Sequence, residues 1–160
     1  MSASDTPGAA RTAADPAAEP AARPSEAPRI RTVVAGAVID GGRLLAARRS
    51  APAHLAGRWE LPGGKVEPGE SDGQALVREL REELGVETEA VERIPGAWPL
   101  APGLVLHVWT ARLLAGEPAP LEDHDELRWL TADRFGEVDW LEPDRPAVAE
   151  IARRLARPTG

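Results

Sequence analysis

The chain has 160 residues, of which 42% are hydrophobic, a length that fits one domain and an apolar fraction sufficient for a core. It contains no Cys, which excludes disulfides and thiolate metal sites, and its net charge of −7 with no basic stripe argues against binding long nucleic acid. No stretch approaches the roughly 18 apolar residues of a membrane span, and the N-terminus lacks a basic-then-apolar signal segment, so a cytoplasmic location with no membrane partner is expected.

Residues 1–28 are dominated by Ala, Pro, Ser and acidic side chains with hardly any large apolar group, and they read as a disordered tail. Asp5, Asp15, Glu19 and Glu26 disfavour a transit peptide. A folded domain is expected over 29–157. Val33, Val34, Ala35, Ala37, Val38 and Ile39 form a nearly continuous apolar run, the mark of a strand buried on both faces. Asp40-Gly41-Gly42 then supplies a hairpin turn into a second strand at Arg43 to Ala47. A short strand is predicted at Arg58 to Leu61.

Next comes a glycine-rich loop. Pro62-Gly63-Gly64 allows the backbone to approach a ligand closely, Pro68-Gly69 turns the chain back, and Lys65 adds a positive group where phosphates would lie. The loop runs into an amphipathic helix. Ser71 or Asp72 can cap its start, Gly85 can end it in the left-handed conformation, and Leu76, Leu80 and Leu84 form the stripe that buries it against a sheet. On this helix Glu79, Glu82 and Glu83 are three and four residues apart, so three carboxylates share one patch and repel one another unless a cation sits among them. Hard oxygen ligands suit Mg²⁺ or Mn²⁺ better than Zn²⁺. Arg78 can steady Glu82 by an i, i+4 pair or turn back to orient Glu79.

After the helix, strands are predicted at Thr88 to Ile94, at Leu104 to Leu113 and at Glu126 to Leu130. The second of these alternates, with Leu104, Leu106 and Val108 on one face and Val105, His107 and Trp109 on the other. Thr131 to Arg134 starts a helical turn, and Val148, Ile151 and Leu155 mark a final amphipathic helix over Pro146 to Leu155. Strands on either side of a central helix imply an α/β protein with a mixed sheet and helices on both faces.

The block Gly64 to Val86 fits G-x5-E-x7-R-E-U-x-E-E-x-G-U, U being aliphatic, at Gly64, Glu70, Arg78, Glu79, Leu80, Glu82, Glu83, Gly85 and Val86. This pattern resembles the signature of the Nudix hydrolases, which cut nucleoside diphosphates linked to another group. The resemblance extends from Ile30 to Ala156 and implies an α/β/α sandwich. Within the family, Arg58-Trp59-Glu60-Leu61-Pro62-Gly63-Gly64-Lys65 and the stretch Trp140 to Pro146 resemble the MutT branch, whose members hydrolyse nucleoside triphosphates to a monophosphate and pyrophosphate.

Carried over by position, the resemblance implies that Glu83 is the main metal ligand, with Glu79, Glu82 and the Gly63 carbonyl completing the site, and Mg²⁺ the expected ion. It implies a phosphate contact from Arg49 and a nucleotide contact from His54, while Glu60 and Leu61 lie in the segment beside the nucleotide. Leu61 departs from the aromatic common at its position. Asp123 stands where the branch has a glutamate acting as metal ligand or base, and Glu122 and Glu126 lie close enough to substitute for it. Catalytic residues are thus expected among Arg78, Glu79, Glu82, Glu83, Asp123 and Glu126. His124 and Asp125 read as solvated loop residues.

The resemblance places Asp144 at the position where the branch reads the base, where an ionised carboxylate would accept hydrogen bonds and favour an edge offering donors; it could equally cap the last helix. (d)CTP and 8-oxo-dGTP both offer such donors. Sugar nucleotides, ADP-ribose or dinucleoside polyphosphates are alternative substrates, and a module that senses a nucleotide without cutting it is a different class. Nothing in the sequence signals an oligomeric state.

Overall fold

The computed structural model describes residues 29–157; the expected tail at 1–28 lies outside them. Eight strands form one mixed sheet: β1 (Arg31–Asp40), β2 (Arg43–Arg49), β3 (Trp59–Glu60), β4 (Gly63–Lys65), β5 (Glu87–Arg93), β6 (Trp98–Ala101), β7 (Leu104–Ala115) and β8 (His124–Leu130). Helix α1 (Asp72–Leu84) follows β4, and α2 (Arg145–Ala156) closes the domain.

The continuous apolar run makes β1 the centre of the sheet. It lies parallel to β7 from Arg31↔Leu104 to Val38↔Ala111 and antiparallel to β4 from Val33↔Lys65 to Ala35↔Gly63. Its last residues pair with the start of β2 through the predicted hairpin. Because successive side chains alternate faces, β1 serves two cores. Val34 and Val38 pack with Leu76, Leu80 and Leu84 of α1, whereas Ala35 and Ala37 join Leu44, Trp59, Trp140 and the α2 residues Val148 and Ile151. The result is the expected α/β/α layering.

The helix signals hold in detail. Ser71 accepts from the Gln74 N–H at 3.1 Å and the Gln74 side chain accepts from the Ser71 N–H at 2.9 Å, a reciprocal capping box. Gly85 ends α1 at φ 73°, in the left-handed region. Two strands, β4 and β6, are additional to the expected set, and β8 begins at His124 rather than Glu126. Among the described residues no helix is long and apolar enough to cross a membrane.

Candidate active site

Burial of Leu76, Leu80 and Leu84 fixes the rotation of α1, and that rotation brings Glu79 and Glu83 to the Gly63-Gly64 strand. The Gly63 N–H donates to Glu83 Oε1 at 3.1 Å. Both glycines are demanded by space. A Cβ on Gly63 would collide with the Val34 carbonyl of β1, and one on Gly64 would occupy the position of the Glu79 carboxylate.

Arg78 ties the loop to the helix. Its Nε and Nη2 donate to the two oxygens of Glu70 at 2.7 and 2.9 Å, its Nη1 donates to Glu79 at 3.0 Å and to Glu82 at 3.5 Å, and Nη2 also reaches the Lys65 carbonyl at 3.1 Å. The guanidinium therefore orients Glu79 while also touching Glu82, so both geometries read from the sequence occur, and Glu70 is its main partner. That pairing pulls the Glu70 carboxyl down to about 2.

The remaining acids are crowded. Burial pushes Glu83 up to about 8, and the charges of Glu60, Glu79 and Glu122 push the same way against the Gly63 hydrogen bond. Burial also raises Glu79, partly offset by Arg78. Among the described residues no three carboxylates or imidazoles stand together as a ready-made metal cage. The acids are drawn instead to separate partners: Glu79 to Arg78, Glu83 to the Gly63 N–H, and Glu60 to Arg49. An all-oxygen donor set in which neighbouring carboxylates disfavour the charge on Glu83 fits a hard divalent cation.

The outlying acids separate clearly. Glu126 pairs with Arg48 at 3.2 Å and Arg128 at 3.0 Å. Asp123 is 63% exposed and lies 3.8 Å from Arg49. Glu122 is the non-glycine residue with φ 53°, and of the three it is the one whose charge is felt at both Glu79 and Glu83. The geometry thus turns Asp123 toward Arg49 and gives the place near the helix carboxylates to Glu122.

Arg49 is less free than a lone phosphate ligand would be. Its Nη1 donates to Glu60 Oε2 at 2.9 Å and its Nε to the Ala51 carbonyl at 3.0 Å. Lys65 is exposed beside the loop, and His54 is exposed on the turn between β2 and β3. A cavity lies between α1 and the β5–β7 edge of the sheet, lined by Val77, Arg78, Ala90 and Leu114; Glu79, Glu82 and Glu83 are not among its lining residues.

Two readings are corrected. His124 is buried, not solvated, with Nε2 2.8 Å from Glu60 Oε2, whereas its neighbour Asp125 is exposed and paired with Arg48 at 2.7 Å. The register shift between Arg48 and Arg49 breaks the alternation of β8 before His124, which therefore lies opposite Arg49 and beside Glu60 rather than on the face that a two-residue period counted back from Leu130 would give it. Asp144 stands at the N-cap of α2 but makes no side-chain capping bond; it accepts from the Leu61 N–H at 2.8 Å. Burial pushes it up to about 7, so near neutrality it is not the fully ionised acceptor assumed from its residue type. Leu61 is itself buried against Trp59 and Trp140.

The model of the NUDIX domain matches residues 29–155. The chain is 45% identical over 126 residues to a Mycobacterium tuberculosis protein named "Putative 8-oxo-dGTP diphosphatase 2", covering 77% of this chain and 89% of that protein. It is 39% identical over 129 residues to the CTP pyrophosphohydrolase of Escherichia coli K12, covering 79% of this chain and 95% of that enzyme. The solution structure of the E. coli ORF135 protein superposes with a TM-score of 0.68 at 36% identity, covering 82% of this chain and 96% of that one.

Proposed function

The chain belongs to the NUDIX family, and from that premise we propose that it hydrolyses (deoxy)nucleoside triphosphates, such as (d)CTP or 8-oxo-dGTP, to a nucleoside monophosphate and pyrophosphate. The observation that carries this reading is the convergence of Glu79 and Glu83 on Gly63-Gly64, with Arg78 holding Glu79 and Glu70 in place. A Mg²⁺ ion, or Mn²⁺, would be held by Glu79, Glu82, Glu83, the Gly63 carbonyl and an outlying acid, either Glu122 or Asp123. When bound, such an ion neutralises phosphate charge and lowers the pKa of a coordinated water.

The protein's own groups supply the rest. Arg49 and Lys65 bind the polyphosphate, with the Arg49 guanidinium held by Glu60. Glu79, raised by burial, is suited to take the proton of the attacking water; Asp123 and Glu126 are the other carboxylates near enough in sequence to serve, and each already faces an arginine. Arg78 orients Glu79 without meeting substrate. Asp144 and the Leu61 backbone flank the side where the base would bind, and a carboxyl that titrates near 7 can either accept from or donate to a base edge.

His54, exposed on its turn, would join only if that turn folds over the nucleotide. Removal of an oxidised triphosphate would place the protein in sanitisation of the nucleotide pool and so in DNA repair, in the cytoplasm. The substrate is a small nucleotide. The test is a panel of purified protein with Mg²⁺ and each of CTP, dCTP, 8-oxo-dGTP, dGTP, ADP-ribose, a sugar nucleotide and a dinucleoside tetraphosphate, products separated by anion exchange. Monophosphate and pyrophosphate from a triphosphate are expected; turnover of the linked diphosphates alone would overturn the reading.

A further inference from the structure

His124 carries no part of the Nudix pattern, yet its side chain is wholly buried at the edge of the candidate site. Its Nε2 lies 2.8 Å from Glu60 Oε2, the same oxygen that accepts from Arg49 Nη1 at 2.9 Å. One carboxylate oxygen thus joins an imidazole and a guanidinium. A β-bulge makes this possible: the β2–β8 register shifts between Arg48 and Arg49, which sets Arg49 opposite His124.

The backbone around Arg49 is fixed independently. Its N–H donates to the Arg58 carbonyl, its carbonyl accepts from Gly57, and the Ser50 N–H donates to the Asp123 carbonyl. What those bonds leave undetermined is the long side chain, which Glu60 and the Ala51 carbonyl hold by hydrogen bonds, with the exposed Asp123 carboxylate a looser partner at 3.8 Å. His124 Nδ1 is buried with no hydrogen-bond partner among the described residues, a cost that an apolar side chain of similar size would avoid. A residue kept only to fill the core has no need of that imidazole. The one polar contact it makes is to Glu60, with the hydrogen on Nε2 donated to the carboxylate.

We infer that His124 is a positioning residue: by anchoring Glu60 it sets the orientation in which the Arg49 guanidinium meets the polyphosphate of the substrate. The inference rests on the proposed triphosphate hydrolysis for its kinetic consequence, and on the geometry alone for its structural one. Glutamine reaches about as far as imidazole Nε2, whereas asparagine is polar but too short to touch Glu60.

His124→Gln and His124→Asn therefore separate reach from polarity, and His124→Leu removes both. His124→Asn and His124→Leu are expected to raise KM for the preferred triphosphate about tenfold with kcat within about twofold, and His124→Gln to restore KM to within about threefold of the unaltered protein. In nitrogen-15 spectra of arginine side chains, the Arg49 Nε–H signal should shift in the Asn and Leu variants and return in the Gln variant. Thermal unfolding of each variant identifies any that does not fold, and the folded ones decide. Equal KM in the Asn and Gln variants, or an Arg49 signal unmoved in both Asn and Leu variants, would overturn the inference. If the unaltered protein cleaves no triphosphate, the functional reading fails, while the Arg49 signal still decides the role of His124.

Discussion

Asp144 is a carboxyl in a place that disfavours its charge: it is 6% exposed, and one backbone N–H, from Leu61, meets it. Its folded pKa is about 7 against an ordinary 3.8, so the protonated form is favoured by folding. A raised carboxyl contributes stability that is complete below the unfolded value and is lost as pH rises through the folded one. Between about pH 4 and pH 7, unfolding free energy should fall by up to about 4 kcal/mol from this group. Asp144→Asn keeps an oxygen for the Leu61 N–H and never ionises. Denaturant midpoints of this variant should decline less over that interval; parallel curves for the two proteins would contradict the burial argument. The same variant, assayed over the nucleotide panel, should change the preference among bases if Asp144 meets the base edge.

Gly63 and Gly64 make a test at the level of strand β4. Both lack room for a methyl group, but for different reasons. Gly63 faces the Val34 backbone of β1, which cannot yield, so Gly63→Ala should lower stability by roughly 2–4 kcal/mol and shift the chemical denaturation midpoint clearly. At Gly64 the three nearest atoms to an added methyl group all belong to the Glu79 carboxylate. Gly64→Ala should leave the midpoint within about 1 kcal/mol and instead cut turnover on the order of a hundredfold, because Glu79 is displaced. If Gly64→Ala unfolds the domain while keeping its activity per folded molecule, the placement of Glu79 is wrong.

This pair also explains what was legible in the sequence. Helix α1 declares itself through local signals, the Ser71 box, the leucine stripe and the Gly85 stop, so its span and buried face follow from the chain alone. Strand β4 does not, because glycines carry no strand preference and its pairing depends on β1, distant in sequence. Likewise β6 contains Pro99 and pairs with β7, and at four residues its alternation of half-buried and exposed side chains is too short to announce a strand. His124 was hidden by the same cause: whether it points inward depends on where β8 begins and on the bulge opposite Arg49. Glu122 was legible as a substitute for Asp123, but the choice among Glu122, Asp123 and Glu126 was not, because it turns on the left-handed backbone of Glu122, which residue type does not announce.

At the scale of the whole molecule, the matched domain spans 29–155, and the site residues all lie within it. A protein beginning at Arg29 should therefore keep the Mg²⁺-dependent turnover of the full chain to within about twofold; a large loss would assign residues 1–28 a part in the reaction. The crowding of Glu60, Glu79, Glu83 and Glu122 predicts that Mg²⁺ raises the unfolding temperature, since a ligand that binds only the folded state stabilises it. The same addition should do less for Glu83→Gln. The central claim, that the α1 carboxylates beside Gly63 carry a metal-dependent hydrolysis, is tested most directly by the kcat of Glu83→Gln at saturating Mg²⁺ and triphosphate, with folding checked by circular dichroism. A loss of about a thousandfold or more with the fold retained is predicted; a folded variant with unchanged Mg²⁺-dependent turnover would contradict the account.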